Sequence, residues 1–159
     1  MEEKNYILQW NLNGIKARMK VGELQRLIRN YNPICICLQH LGEYNVNIQN
    51  YKLISQSIKT TTELGTAIYI RNNITADTIV TQNSEFQHSV TKIYINKNLK
   101  FTLCNVYNQP TFSYNFENLK NVLNTLPKPI LLLGDLNADN PIWDETCPSP
   151  DASGKKWKS

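Results

Sequence analysis

The segment of residues 130–144, ILLLGDLNADNPIWD, limits the folds open to this chain more than any other stretch. Four apolar residues lead to Gly134, and two side chains with ligand oxygens, Asp135 and Asn137, follow at once. Such a run is typical of a buried strand, and glycine permits a sharp turn after it. Because α/β folds place their chemistry where strands end, the segment suggests a functional site. A strand followed by a simple Asp/Asn/Gly turn fits the same residues.

The order of the predicted elements favours a layered α/β protein. Strands are predicted at residues 6–10, 34–39, 51–55, 65–70, 77–81, 90–95, 99–107 and from 130, and helices at 24–31 and 115–126. The first strand, helix and second strand predict a parallel βαβ unit, and residues 90–107 predict a hairpin. The best fit is a mixed α/β sandwich of two packed sheets with helices outside.

Composition indicates an ordinary globular protein. The 159 residues are 41% hydrophobic and 19% charged, which suits one domain with a core or part of a larger one, and we expect a single domain over residues 1–159. No apolar stretch approaches membrane-spanning length and no signal-peptide pattern is present, so we expect an intracellular protein without a membrane partner. The net charge of +4 permits a polyanionic partner but does not require one. The simplest account of the four cysteines is reduced thiols.

Polar residues recur where the predicted strands end. They are Asn11, His40, Tyr107, and Asp135 with Asn137. In a layered α/β protein such strand ends meet at one rim of the sandwich. Carboxylate and amide oxygens are ligands that Mg²⁺ prefers, and a tyrosine hydroxyl can hydrogen-bond a phosphate oxygen, so the set suits metal-assisted hydrolysis of a phosphoester. Taken singly, each residue also fits a turn, a surface histidine or an aromatic at the edge of the core.

Five segments occur in the order seen in the exonuclease–endonuclease–phosphatase superfamily: LQWNLNGI, ICLQ, GTAIYI, NVYNQP and LLLGDLNADNPIW. The chain most resembles the endonuclease domain encoded by non-LTR retrotransposons, in which Asp-Phe-Asn-Ala precedes a Pro-x-Trp element. The resemblance covers residues 6–157. It implies a four-layer α/β/β/α sandwich of the DNase I-like type.

The resemblance also implies roles for particular residues. Asn11 would support the metal-binding carboxylate and the phosphate, and Tyr107 would contact the scissile phosphate. Asp135 and Asn137 would orient the attacking water and stabilise the transition state. The implied cofactor is Mg²⁺, with Mn²⁺ as an alternative, and the implied partner is DNA in the nucleus. The nick would leave a 3′-hydroxyl that the reverse transcriptase of the same element extends, if the reading frame continues.

Contacts to nucleic acid are expected beside this rim. The predicted contact residues are Asn13, Lys16, Arg18 and Trp143, and Lys20 belongs to the same basic stretch. Phosphate contacts of this kind would weaken with salt. A solvated helix start is the simpler interpretation of the basic residues.

Position 40 departs from the family pattern. The family carries Gln-Glu where this chain has Gln39 and His40, and that glutamate is the main Mg²⁺ ligand. Imidazole suits Zn²⁺, Cu²⁺ or Ni²⁺ better than Mg²⁺ and lacks the negative charge that balances a hard dication. Asn11 and His40 therefore remain as metal-site candidates with weakened binding. Glu43 is close in sequence, but we do not expect it to substitute.

The second departure concerns the end of the chain. The superfamily carries a C-terminal Ser-Asp-His element, nothing after Trp143 supplies it, and His88 lies in a region that does not match. We therefore expect a fold that is incomplete at the C-terminus, with an exposed apolar patch, an unpaired strand edge and poor solubility.

Three functions remain open. The first is a retrotransposon-type DNA endonuclease with impaired or absent activity, which we favour as the origin of the chain. The second is another phosphoesterase of the same superfamily. The third is a non-catalytic remnant with weak nucleic-acid binding.

Overall fold

The computed structural model describes residues 4–13, 17–42, 46–57, 65–81, 86–109, 116–139, 141–142 and 144–151, with the side chains at 17–19 and 116 left out of the description. Its elements, in chain order, are β1 (Ile7–Asn11), α1 (Ala17–Tyr31), β2 (Cys35–Gln39), β3 (Tyr51–Gln56), β4 (Thr66–Arg71), β5 (Thr75–Thr78), β6 (Gln87–Tyr94), β7 (Lys100–Tyr107), α2 (Phe116–Thr125) and β8 (Ile130–Asp135).

The strands form two four-stranded sheets. Their orders are β1-β2-β4-β3 and β5-β6-β7-β8. β1 pairs with β2 in parallel, with α1 between them in the chain, so the predicted parallel βαβ unit is confirmed. β6 and β7 form the predicted antiparallel hairpin, and β7 then pairs with β8 in parallel. The two sheets pack face to face, with contacts between β1 and β8 and between β2 and β7.

Three apolar clusters hold four layers together. Leu24 and Ile28 of α1 pack on the outer face of the first sheet with Leu38. Ile68 and Leu103 belong to the cluster between the sheets. On the far side, α2 packs against the second sheet through Leu119, Val122 and Leu123, joined by Leu126 directly after the helix. The predicted two-sheet sandwich with outer helices is therefore confirmed.

The central strand β2 is buried along its whole length. It lies between two strands and is covered by α1 on one face and by the second sheet on the other, which is why its sequence is a nearly continuous apolar run. Burial raises the pKa of the Cys37 thiol well above its usual range and that of Cys104 to about 12. These thiols are therefore protonated at neutral pH and act as small apolar groups.

The bounds of two strands differ from the predicted ones because of how the strands pair. β5 covers Thr75–Thr78 rather than 77–81, because Thr75 pairs with Tyr94 and Thr78 with Thr91, while the apolar Val80 is 91% exposed. β6 begins at Gln87, three residues early, because that residue pairs with Tyr107. Within the described residues no helix is long and apolar enough to cross a membrane.

Candidate active site

Four strands end at one rim of the sandwich. The paired ends are Asn11 opposite Gln39 in the first sheet, and Tyr107 opposite Asp135 in the second. His40 directly follows Gln39. Because the sheets pack through β1 with β8 and β2 with β7, these ends come together. The rim therefore gathers Asn11, His40, Tyr107 and Asp135, which sequence analysis selected from four separate segments.

Asp135 is held at the rim by hydrogen bonds to both of its carboxylate oxygens. The Asn11 side-chain amide donates to Oδ2, and the backbone N–H of Asn137 donates to Oδ1 over 3.0 Å. The Oδ1 atom of Asn11 in turn accepts a hydrogen bond from the backbone N–H of Asn13 at 2.8 Å. The carboxylate therefore has a fixed orientation, with a lone pair left on each oxygen for a further donor.

Asn137 is fixed through the loop that follows β7. Its Nδ2 donates to the carbonyl oxygen of Asn108 at 2.6 Å, while the Asn108 side chain donates to the carbonyl of Leu136 at 3.1 Å. The backbone N–H of Asn108 also donates to the Asp135 carbonyl at 2.8 Å. Asn137 has a φ of 43°, a left-handed conformation that asparagine tolerates. These bonds tie the two strand ends of the second sheet together.

Gly134 allows β8 to approach β7 closely. A Cβ at this position would lie 2.0 Å from the carbonyl oxygen of Val106, and its φ of +142° favours glycine. The strand continues through this residue to Asp135, so the predicted sharp turn at Gly134 is replaced by a close backbone approach. The glycine therefore places Asp135 at the rim.

His40 and Tyr107 contact each other at the rim. The tyrosine hydroxyl lies 3.1 Å from Nδ1 of the imidazole, and the two ring centroids are 5.3 Å apart. Burial lowers the pKa of His40, with Asp135 acting in the opposite direction and Lys20 in the same one. Burial, with a contribution from Asp135, raises the pKa of Tyr107. Tyr107 is only 3% exposed, and in this structure the partner of its hydroxyl is His40.

Lys20 brings a positive charge to the rim from α1. Its ammonium group donates to the carbonyl oxygen of Asn11 at 3.3 Å. Lys20 belongs to the basic stretch in which phosphate contacts were predicted, together with Lys16 and Arg18. Asn13 is exposed beside the site. Lys16, Trp143 and Glu43 lie outside the described residues, as does the side chain of Arg18.

A buried polar network lies directly beneath the rim, and sequence analysis missed it. Gln39 Nε2 donates to Asn105 Oδ1 at 2.6 Å, and Asn105 Nδ2 donates to the carbonyls of Leu38 at 3.0 Å and Ala67 at 3.1 Å. Gln39 and Asn105 are both 0% exposed. From the other side, Gln9 Nε2 lies 3.4 Å from Gln39 Oε1. The network joins the two sheets next to His40, and its only sequence signal is a polar residue within each of two apolar runs.

Comparison with known proteins identifies the family. The model of a family described as Endonuclease/Exonuclease/phosphatase matches residues 8–156, nearly the whole chain. The chain belongs to the endonuclease/exonuclease/phosphatase family. The resemblance found in the sequence is thereby confirmed. A search of curated proteins gave no significant match.

Solved structures share the DNase I-like fold. The endonuclease domain of TRAS1, a telomere-specific non-LTR retrotransposon, aligns with a TM-score of 0.77 at 20% identity, over 96% of this chain and 68% of that one. The human Nocturnin catalytic domain with bound sulfate gives 0.62 at 14% identity, over 96% and 68%. D. rerio TDP2 complexed with single-strand DNA product gives 0.60 at 16% identity, over 85% and 61%. At these identities the matches show the fold.

Enzymes of the endonuclease/exonuclease/phosphatase family generally depend on a divalent metal ion. Among the residues described, no group of three or more His, Cys, Asp or Glu side chains could hold one. Asp135 is the only described carboxylate whose charge affects the pKa of His40. Each of its two oxygens accepts one hydrogen bond. Among the described residues the rim offers one imidazole and one carboxylate, which fits poorly with a hard dication that takes several charged oxygen ligands.

Proposed function

We propose that this chain is the endonuclease domain of a non-LTR retrotransposon, directed at DNA, with catalysis impaired at position 40. The observation that carries the proposal is the convergence of Asn11, His40, Tyr107, Asp135 and Asn137 at one rim of a sandwich of this family. The substrate would be a phosphodiester bond in DNA, and the reaction a hydrolytic nick in the nucleus.

The hydrogen bonds of the rim support a division of roles. Asp135, oriented by Asn11 and by the backbone of Asn137, would accept a hydrogen bond from the attacking water. The Asn137 side chain would help to position that water. Tyr107 would contact the scissile phosphate once its hydroxyl is released from His40. These residues can bind and orient the reactants, a contribution that depends on accurate placement.

The proposed impairment follows from the residue at position 40. A nitrogen donor in place of a carboxylate weakens the binding of Mg²⁺, and of Mn²⁺ to a lesser degree. His40 also contacts the hydroxyl that the phosphate would use, at 3.1 Å. Both effects act on the same step, so we expect a low rate of nicking from the chain as it stands.

The test is nicking of supercoiled plasmid in Mg²⁺ and, separately, in Mn²⁺. We expect the substitution His40→Glu to raise the rate by at least roughly 10–100-fold, the range that is lost with an outer-shell partner, because it restores a direct hard ligand. The double variant with Asp135→Asn should lose this gain, which shows that the nicks come from this rim. A native chain that nicks plasmid in Mg²⁺ at a rate unchanged by His40→Glu would overturn the proposal.

The misfit of the rim to a hard dication favours a second candidate, a non-catalytic remnant that binds nucleic acid weakly. His40→Glu would then bind DNA without nicking it. A third candidate, another phosphoesterase of the family, would cleave RNA or an inositol phosphate in preference to DNA in a substrate panel. In each case we propose a single domain over residues 1–159, and for the endonuclease a reverse transcriptase of the same element as its partner.

A further inference from the structure

We propose that the rim binds a backbone phosphate of DNA directly, without a metal ion, between Lys20 and His40. The inference rests on the proposed function only for the class of ligand, a phosphodiester. It concerns how this chain holds that ligand, which is independent of whether it cleaves it.

The charges at the rim are balanced, so they do not repel an anion. Lys20 contributes one positive charge and Asp135 one negative charge, and His40 is neutral or positive at every pH. A glutamate at position 40 would add a second negative charge close to Asp135. Two carboxylates repel a phosphate unless a cation lies between them, whereas one carboxylate beside one lysine does not. The imidazole therefore removes the electrostatic reason for a metal ion in binding.

Donors for a phosphate oxygen are available at both ends of the site. Lys20 forms no ion pair with the residues that the structure describes, and its single hydrogen bond to Asn11 leaves two ammonium protons for another acceptor. On the histidine side, Nδ1 faces the Tyr107 hydroxyl at 3.1 Å. When that hydroxyl donates to Nδ1, the neutral ring carries its proton on Nε2, which is bonded to none of the described residues.

Mg²⁺ should compete poorly for this site, because Asp135 is the only carboxylate there among the described residues. Both carboxylate oxygens accept hydrogen bonds, from the amide of Asn11 and the backbone of Asn137. Each oxygen keeps a second lone pair, but a cation that binds there would gain no second carboxylate among the described residues. Added Mg²⁺ should then act only on the DNA, as a counterion that weakens binding.

The experiment is fluorescence anisotropy of a short labelled DNA duplex with the whole chain, in EDTA and in Mg²⁺ at matched ionic strength. We expect the native chain to bind in EDTA and to bind no more tightly in Mg²⁺. His40→Glu should weaken binding in EDTA about tenfold through like-charge repulsion and should regain affinity when Mg²⁺ is added. His40→Gln, which is uncharged, should stay within about threefold of the native affinity in EDTA, since it lacks that repulsion.

Lys20→Ala tests the other end of the site. It should weaken binding in EDTA and reduce the slope of log affinity against log salt by about 1, as expected for the loss of one phosphate contact. The matched control is Lys52→Ala. Lys52 is exposed on β3, the edge strand farthest from β1, and pairs with Ile70 away from the rim. This control should leave both affinity and slope unchanged.

Three results would overturn the inference: native binding that requires Mg²⁺, equal affinities of His40→Glu and His40→Gln in EDTA, or equal effects of Lys20→Ala and Lys52→Ala. These results leave the plasmid assay unaffected. Failure of the proposed endonuclease function would instead appear as absence of nicking by His40→Glu while the native chain still binds DNA in EDTA. The two claims therefore fail separately.

Discussion

The space between the two sheets is filled differently at its two ends. At the end away from the rim it holds apolar side chains, among them Ile70, Ile93 and Leu103. Next to the rim it holds a hydrogen-bonded group of Gln39 with Asn105, and Thr66 with Ser89 at 3.0 Å. The same strands build both ends. β1, β2 and β8 end at the rim in polar residues, whereas β4 and β6 run in the opposite direction and bring Thr66 and Ser89, near their starts, to the polar end.

The apolar end provides stability, and the polar end provides a fixed site. Apolar packing is nondirectional, so the apolar end, away from the rim, tolerates small changes in shape. It includes a cleft of about 320 Å³ lined by residues such as Ile7, Ile95 and Phe101. The polar end depends on partners at set distances, and loss of one partner leaves another buried group unsatisfied. Substitutions near the rim should therefore be costlier than conservative ones at the apolar end.

The largest expected effect is that of Gly134→Ala. The new Cβ would lie 2.0 Å from the carbonyl oxygen of Val106, so β8 must move away from β7 just below Asp135. We expect a loss of about 4 kcal/mol or more in the free energy of unfolding, measured by urea denaturation.

Gly22→Ala is the matched control. Gly22 lies in α1 with no atom within 4 Å of an added Cβ, so the same substitution should stabilise the chain by about 1 kcal/mol. Similar effects at the two glycines would show that the close approach at β8 is not a constraint.

Asn105→Ala should have the next largest effect. The side chain donates to the carbonyls of Leu38 and Ala67 and accepts from the Gln39 amide. Its removal therefore leaves these buried groups of β2 and β4 without this partner. We expect the free energy of unfolding to fall by about 2–4 kcal/mol. Ile93→Val, at the apolar end, should cost about 1 kcal/mol in the same urea titration. If Asn105→Ala costs no more than Ile93→Val, the contrast between the two ends is wrong.

A smaller effect concerns pH. Burial lowers the pKa of His88, whose Nε2 contacts the Thr81 hydroxyl at 2.5 Å. The unfolded chain therefore takes up a proton near the ordinary histidine pKa of about 6.5, where the folded chain does not. Stability should be constant above that pH, fall as the pH drops through it, and level off below the folded pKa. Equilibrium unfolding between about pH 8 and pH 5.5 measures this dependence.

His88→Gln should flatten the dependence of stability on pH. The remaining slope should have the same sign, because burial also lowers the pKa of His40. An equally steep dependence in the variant would mean that His88 is not the group responsible.

The architecture could be predicted because its signals are local. Helix periodicity in residues 24–31, the apolar run before Gly134 and the polar strand ends at Asn11 and Asp135 each lie in a few consecutive residues. The partners within the rim could not be predicted in this way. His40 and Tyr107 are 67 residues apart, and Gln39 and Asn105 are 66 apart, so their contacts depend on how the two sheets are aligned.

Lys20 illustrates the same limit at the scale of one helix. The sequence shows a basic stretch beside the site, but which member reaches the rim depends on the rotation of α1 against β1. Similarly, the replacement at position 40 is visible in the sequence, whereas its contact with the Tyr107 hydroxyl is not. The fold determines what a substituted residue does with its new chemistry.

With an imidazole at position 40, the rim should not hold Mg²⁺. Thermal unfolding in a Mg²⁺ titration at constant ionic strength measures this. We expect no shift in Tm for the native chain or for His40→Gln. His40→Glu should start less stable in EDTA, because of repulsion from Asp135, and gain about 2.7 kcal/mol when Mg²⁺ reaches 100 times its Kd. If the Tm of the native chain rises with Mg²⁺ as much as that of His40→Glu, the rim holds Mg²⁺ in spite of the imidazole.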